Sequence, residues 1–134
     1  MPARVLVSTE AAALVGRLKQ QYGPLLFHQS GGCCEGTAPM CFRQRDFRIG
    51  RHDVLLGVIE ECPFYVGGAE FGYWAYMELT IDVTMGGGDS FSLEAADGVR
   101  FITRSRLFSD VEAAELDAAG PPPQGPEAAE LAQI

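Results

Sequence analysis

No stretch of this chain approaches the roughly 18 unbroken apolar residues that a membrane-spanning helix requires, so no helical span is expected. The opening segment, Met1-Pro2-Ala3-Arg4-Val5, lacks the charged region, apolar stretch and cleavage site of a secretory signal, and a cytoplasmic location follows as the expectation. In a reducing compartment Cys33, Cys34, Cys41 and Cys62 are expected as thiols or metal ligands, not disulfides. None of them forms a Cys-x-x-Cys pair. A concentrated basic surface is also missing, and without one there is little to displace counterions from nucleic acid. Gly86-Gly87-Gly88 has no Lys-Ser/Thr ending and precedes a strand-like run, which removes a phosphate loop.

What is present suits one domain. The chain has 134 residues, a length commonly served by a single core, and 47% of them are hydrophobic. Charge is unevenly placed. Residues 1–109 hold all 10 basic and 12 acidic side chains, a net of −2, whereas 110–134 hold six acidic and no basic ones, a net of −6. The expected organisation is an α+β domain over 1–110 followed by an acidic Pro/Ala-rich tail over 111–134. From Gly120 that tail offers too little apolar surface to offset ordering entropy, so it is expected to be disordered, with a helical turn conceivable at 127–133.

Residues 4–8 read as a strand. Ser8 or Thr9 then caps a helix whose apolar stripe is Ala11, Leu14, Val15, Leu18 and Tyr22, ended by Gly23 and Pro24. Further strands are expected at 25–29, at 53–60 with a bulge at Gly57, at 64–66 and at 77–84, where Met77, Leu79, Ile81 and Val83 alternate with polar residues. Residues 69–76 fit either strand or short helix. Asp97-Gly98 predicts a hairpin joining 91–94 to 99–103. The fold class is therefore α+β: one N-terminal helix on a mostly antiparallel sheet or sandwich of six to seven strands.

Chemistry concentrates between His28 and Cys41, which hold three of the four cysteines and one of the two histidines. Thiolate and imidazole suit zinc or iron, and the glycines at 31, 32 and 36 let the backbone turn tightly. His28, Cys33, Cys34 and Cys41 form the candidate ligand pool, with Glu35 as a possible further donor. Adjacent Cys33 and Cys34 would point to opposite sides of an extended backbone. Alternatively Cys33 or Cys34 is a nucleophile or redox thiol, its proton drawn off by His28 or by the basic run Arg43, Arg45, Arg48 and Arg51. That run is itself a candidate anion or carboxylate site, although Asp46 and Asp53 interrupt it. Cys62 reads as a buried small hydrophobe, His52 as an exposed loop residue, and Tyr73, Trp74 and Tyr76 as core packing or a pocket wall.

Several segments carry a resemblance. Gly23-Pro24-Leu25-Leu26-Phe27-His28-Gln29-Ser30-Gly31-Gly32-Cys33-Cys34-Glu35-Gly36, Asp53-Val54-Leu55-Leu56-Gly57, Pro63-Phe64-Tyr65, Leu79-Thr80-Ile81-Asp82-Val83, Phe91-Ser92-Leu93-Glu94, Gly98-Val99-Arg100-Phe101 and Thr103-Arg104-Ser105-Arg106-Leu107-Phe108 resemble the bacterial family called domain of unknown function 779, over about residues 4–110. The family has no established activity. Its members resemble genomic neighbours of NAD-dependent aldehyde dehydrogenases, which implies a role beside alcohol or aldehyde oxidation. A more distant, fold-level similarity is to the A-type (HesB-like) iron–sulfur carriers, whose first cysteine would fall on Cys33. Those carriers end in a Cys-x-Cys pair, and no cysteine follows Cys62 here, which counts against cluster delivery.

The expected function is a small metal-binding accessory protein of an aldehyde or alcohol dehydrogenase system. The alternatives are a thiol enzyme or redox sensor acting through Cys33 or Cys34, and a non-catalytic binding module. An NAD-dependent aldehyde dehydrogenase and a second copy of the chain are the conceivable partners. Nucleic acid and membrane are not.

Overall fold

Ser8 begins the first helix in the way its side chain allows. Its hydroxyl accepts the Ala11 amide at 3.1 Å, satisfying a first-turn N–H that has no partner within the helix. A computed structural model describes residues 2–29, 38–86 and 92–129, and in it strand β1 (Val5–Val7) leads into helix α1 (Thr9–Tyr22). Ala11, Leu14, Val15 and Leu18 are buried, as the stripe predicts, and Gly23 ends the helix at φ 84°.

Strand β2 (Leu25–Gln29) follows, then β3 (Met40–Arg43), β4 (Val54–Ile59), β5 (Cys62–Val66), a single helical turn α2 (Phe71–Trp74), β6 (Met77–Met85), β7 (Val99–Leu107) and α3 (Asp110–Ala119). The strands form two sheets, ordered β1-β6-β7 and β3-β2-β5-β4. The β1–β6 and β2–β5 pairs are parallel and the other three antiparallel. One core joins them: Phe27 of β2 stacks on Phe64 of β5 at 5.9 Å and meets Phe101 of β7 edge-on at 5.1 Å.

Two local expectations change and one open alternative resolves. Asp97-Gly98 does not make a hairpin; Leu93–Asp97 is a 3-10 turn that Gly98 ends in the left-handed conformation. The nine residues of β7 pair with β6 instead. Met40–Arg43, given no strand by the sequence pattern, is one because its amides find β2, a partner that local pattern does not reveal. The ambiguous 69–76 segment is helical over Phe71–Trp74, with Trp74 in the core and Tyr73 and Tyr76 exposed.

Gly57 sits where the β4–β5 register shifts. A Cβ there would come within 2.8 Å of Val5 Cγ1, so β1 lies across β4 at a distance only glycine permits. The β4–β5 turn is built against preference. Glu60 and Glu61 both hold positive φ, 47° and 66°, where Asn-Gly is the favoured pair and another side chain costs about 1 kcal/mol each. Lys19 of α1 holds the turn, its Nζ donating to the Glu60 carbonyl at 2.8 Å and to Glu61 Oε1 at 3.1 Å. Replacing Glu61 by glycine is expected to raise unfolding stability by about 1 kcal/mol in urea titration. An unchanged or lower midpoint would mean that the lost Lys19 contact outweighs the relieved strain.

The acidic stretch that composition assigns to a disordered tail is described as far as Ala129. Ser109 and Glu112 cap α3 reciprocally. Arg106 donates to both oxygens of Glu112, at 2.9 Å each, and to both oxygens of Glu78. Beyond α3 the chain runs beside β4, where Ala128 is buried against Leu55 and Tyr65. It is held by backbone hydrogen bonds and small side chains, neither of which registers as apolar content.

The Arg106 guanidinium, followed by the Ser109 amide, draws the Glu112 carboxyl down to about 2 from its ordinary 4.5. A depressed carboxylate stabilises fully above its unfolded value, and that contribution is lost as pH falls through the folded one. Amide exchange in the first turn of α3 is therefore expected to accelerate, relative to the intrinsic rate, between pH 4.5 and about 2. An exchange profile flat across that window would show that the ion pairs do not hold the helix start.

Candidate functional site

Alternation along β2 divides its last residues between two environments. Phe27 faces the common core, and its neighbour across the ladder, Cys41, faces it too. His28 turns to the outer face, beside Tyr65 on β5 and Met40 on β3. There its ring tilts against Phe47 at 4.9 Å, and Phe47 in turn stacks on Phe42. His28 and Asp53 are 3.0 Å apart, Nε2 to Oδ1, with their side chains only 7% and 17% exposed. An ionised carboxylate can only accept, so the ring donates through Nε2–H. In the neutral imidazole Nδ1 is then the nitrogen with a lone pair, the state a base or a metal ligand needs. Asp53 is fixed in turn: its Oδ2 accepts the Gly50 amide at 2.8 Å.

A second polar group lies between the two sheets. Thr103 on β7 donates to Gln29 Oε1 at 3.2 Å, both residues wholly buried. Ser92 Oγ accepts the Cys41 amide at 2.8 Å and donates to Glu94, whose other oxygen accepts the Phe101 amide at 2.9 Å. The outer edge of β3 is thereby tied to the outer edge of β7. One cluster, His28 with Asp53, lies on the outer face of β2, and the other, Gln29, Ser92, Glu94 and Thr103, lies on its core side.

The candidate residues are thus distributed as follows. Cys33, Cys34 and Glu35 lie outside the described residues. His28 is buried on the outer face and Cys41 on the opposite one, so their side chains do not converge. Burial, reinforced by Glu94, pushes the Cys41 thiol far up, and burial pushes Cys62 up to about 11, so both stay protonated near neutrality. The arginines divide. Arg43 and Arg45 line a cavity of about 560 Å³ beside Tyr22. Arg48 lines another of about 430 Å³ with Phe47 and Tyr65, and Arg43 is engaged by Asp46 at 2.5 Å. His52 is exposed, as expected. Among the described residues no three His, Cys, Asp or Glu side chains gather as a metal site.

Asp53 was legible as a strand start and as a charge interrupting the arginine run, not as a histidine's partner, because His28 is 25 residues away. Gln29 carried a usable signal, an amide closing an otherwise apolar Leu-Leu-Phe run. Ser92 and Glu94 carried none, being hidden in what reads as a strand before a turn.

Compared with known families, residues 14–107 match the family described as domain of unknown function (DUF779), and the chain belongs to it. No curated protein and no solved structure matches, so the likeness to the iron–sulfur carriers rests on sequence segments alone. Among the described residues no helix is long and apolar enough to cross a membrane.

Proposed function

We propose that this is a thiol-active protein of the reducing cytoplasm, in which His28, oriented by Asp53, takes the proton of Cys33 or Cys34. The buried His28–Asp53 pair carries this reading. A carboxylate bonded to one imidazole nitrogen sets the ring's tautomer and orientation and stabilises the imidazolium that forms, the logic of nucleophile–histidine–acid arrangements. The two cysteines stand only five and six positions after His28, a span that lets a loop return a thiol to the ring. Of the four cysteines, Cys41 and Cys62 are held protonated in the core and offer no nucleophile near neutral pH. Beside an NAD-dependent aldehyde dehydrogenase such a thiolate would meet aldehydes, which add thiols reversibly as hemithioacetals.

The test is alkylation by iodoacetamide between pH 6 and 9, followed by mass spectrometry of each cysteine. Cys33 or Cys34 is expected to react first, and Asp53→Asn or His28→Ala to slow that site about tenfold. Rates equal to those of an unfolded cysteine peptide, unaltered in both variants, would end the proposal. Co-purification with the dehydrogenase tests the setting separately.

The same pair favours a second reading, a zinc or iron site using His28 with Cys33, Cys34 and Glu35. Ligating imidazoles commonly give their other N–H to a carboxylate, which is Asp53's position here. Cys41 drops out of that set because its thiol faces the core. Protein purified anaerobically without a histidine tag would then carry about one metal per chain, lost in His28→Ala. A metal-free chain with a fast-reacting thiol would leave only the first reading.

A further inference from the structure

We propose that residues 121–129 are a positioning strap for the site: they hold Asp53 where its carboxylate meets His28. Asp53 stands one residue before β4, whose last ladder pair is Val54 with Val66, so no sheet hydrogen bond fixes it. Its backbone is instead held from two sides. Its amide donates to the Gly50 carbonyl at 3.1 Å, and its carbonyl accepts the Gly125 amide at 2.9 Å. The same stretch grips the next two residues, through an antiparallel bridge between Gln124 and Val54 and through the Leu55 amide, which donates to the Pro123 carbonyl at 2.9 Å.

Three successive residues of the site's wall are thus clamped by three successive residues of the strap. The strap is anchored on the sheet by Tyr65, whose hydroxyl donates to the Gly125 carbonyl at 2.9 Å. Ala128, 1% exposed, seals it against Leu55 and Tyr65. Tyr65 is also the cross-strand neighbour of His28. One residue therefore holds the strap and is in register with the histidine on the neighbouring strand. Gly125 holds φ 88°, a conformation that a β-branched side chain resists, so valine there would displace the strap at its contact with Asp53.

This inference deepens the proposed thiol site, and its first readout is independent of thiol chemistry. The experiment records the ¹⁵N signature of the His28 ring, which separates the Nε2–H from the Nδ1–H tautomer, for the full chain, for a chain ending at Ala119, for Gly125→Val and for Tyr65→Phe. The full chain is expected to show the Nε2–H form. Truncation and Gly125→Val are expected to give a mixture of tautomers, and to slow alkylation about tenfold, the effect expected of Asp53→Asn. Tyr65→Phe, which removes one anchor only, should fall between. A synthetic 120–129 peptide added to the truncated chain should restore the Nε2–H form.

An unchanged tautomer in truncated and Gly125→Val protein would overturn the strap. Should the truncated chain not fold, the two point variants decide by the same signal. Alkylation unaffected by Asp53→Asn would refute the thiol reading while leaving the tautomer test of the strap intact.

Discussion

A Glu94→Ala chain is expected to melt about 12 °C below the parent. Glu94 is 2% exposed, and its carboxylate accepts from the Ser92 hydroxyl and the Phe101 amide. Hydrogen bonds to a charged group contribute about 1.5–3 kcal/mol each, and a buried donor left without an acceptor costs a comparable amount. Truncation removes both bonds and strands the Phe101 amide. Relief from burying a charge offsets part of this, so a net loss of about 3 kcal/mol follows. For a chain of this size that corresponds to about 4 °C per kcal/mol. Glu94→Gln keeps one acceptor and adds a donor, and is expected to fall near half the loss. A Glu94→Ala protein melting within about 3 °C of the parent would show that the link between the two sheet edges contributes little.

Phe27→Ala is expected to cost about 4 kcal/mol, the range for removing a fully buried phenylalanine. Phe27 touches one aromatic on its own sheet and one on the facing sheet, so neither sheet can relax alone into the space it leaves. The variant has a second, more specific readout. Cys41, cross-strand from Phe27 and wholly buried, should become accessible to a thiol reagent through local opening well before global unfolding. Urea titration and timed labelling of Cys41 check the two together. A stability loss under about 1.5 kcal/mol, with Cys41 still shielded, would mean that Phe64 and Phe101 close the gap.

How far these features could be read in advance depends on the range of the interaction that creates them. α1 was legible end to end because a helix is made by residues three and four apart, and Ser8, the apolar stripe and Gly23 all lie within one short window. β6 was legible because Met77, Leu79, Ile81 and Val83 face one core. β3 was not, since Met-Cys-Phe-Arg becomes a strand only by meeting β2, and the Asp97-Gly98 signal was read as a hairpin where it ends a 3-10 turn. The site divides in the same way. His28 stood out by residue type, while Asp53, Gln29 and Glu94 acquire meaning only from partners that folding brings to them from 25, 74 and 7 positions away.

The parallel pairing of β1 with β6 has a consequence for the birth of the molecule. Val5 to Val7 meet Leu79 to Ile81, and Ser8 caps α1 while hydrogen-bonding Asp82, 74 positions away. On the ribosome the first strand therefore leaves the tunnel long before its partner exists, and α1 must wait with its apolar face uncovered. Contacts of such separation slow folding, because a long loop must close before they form. The β1–α1 segment thus spends the synthesis of about 70 further residues with an apolar face that β6 will cover.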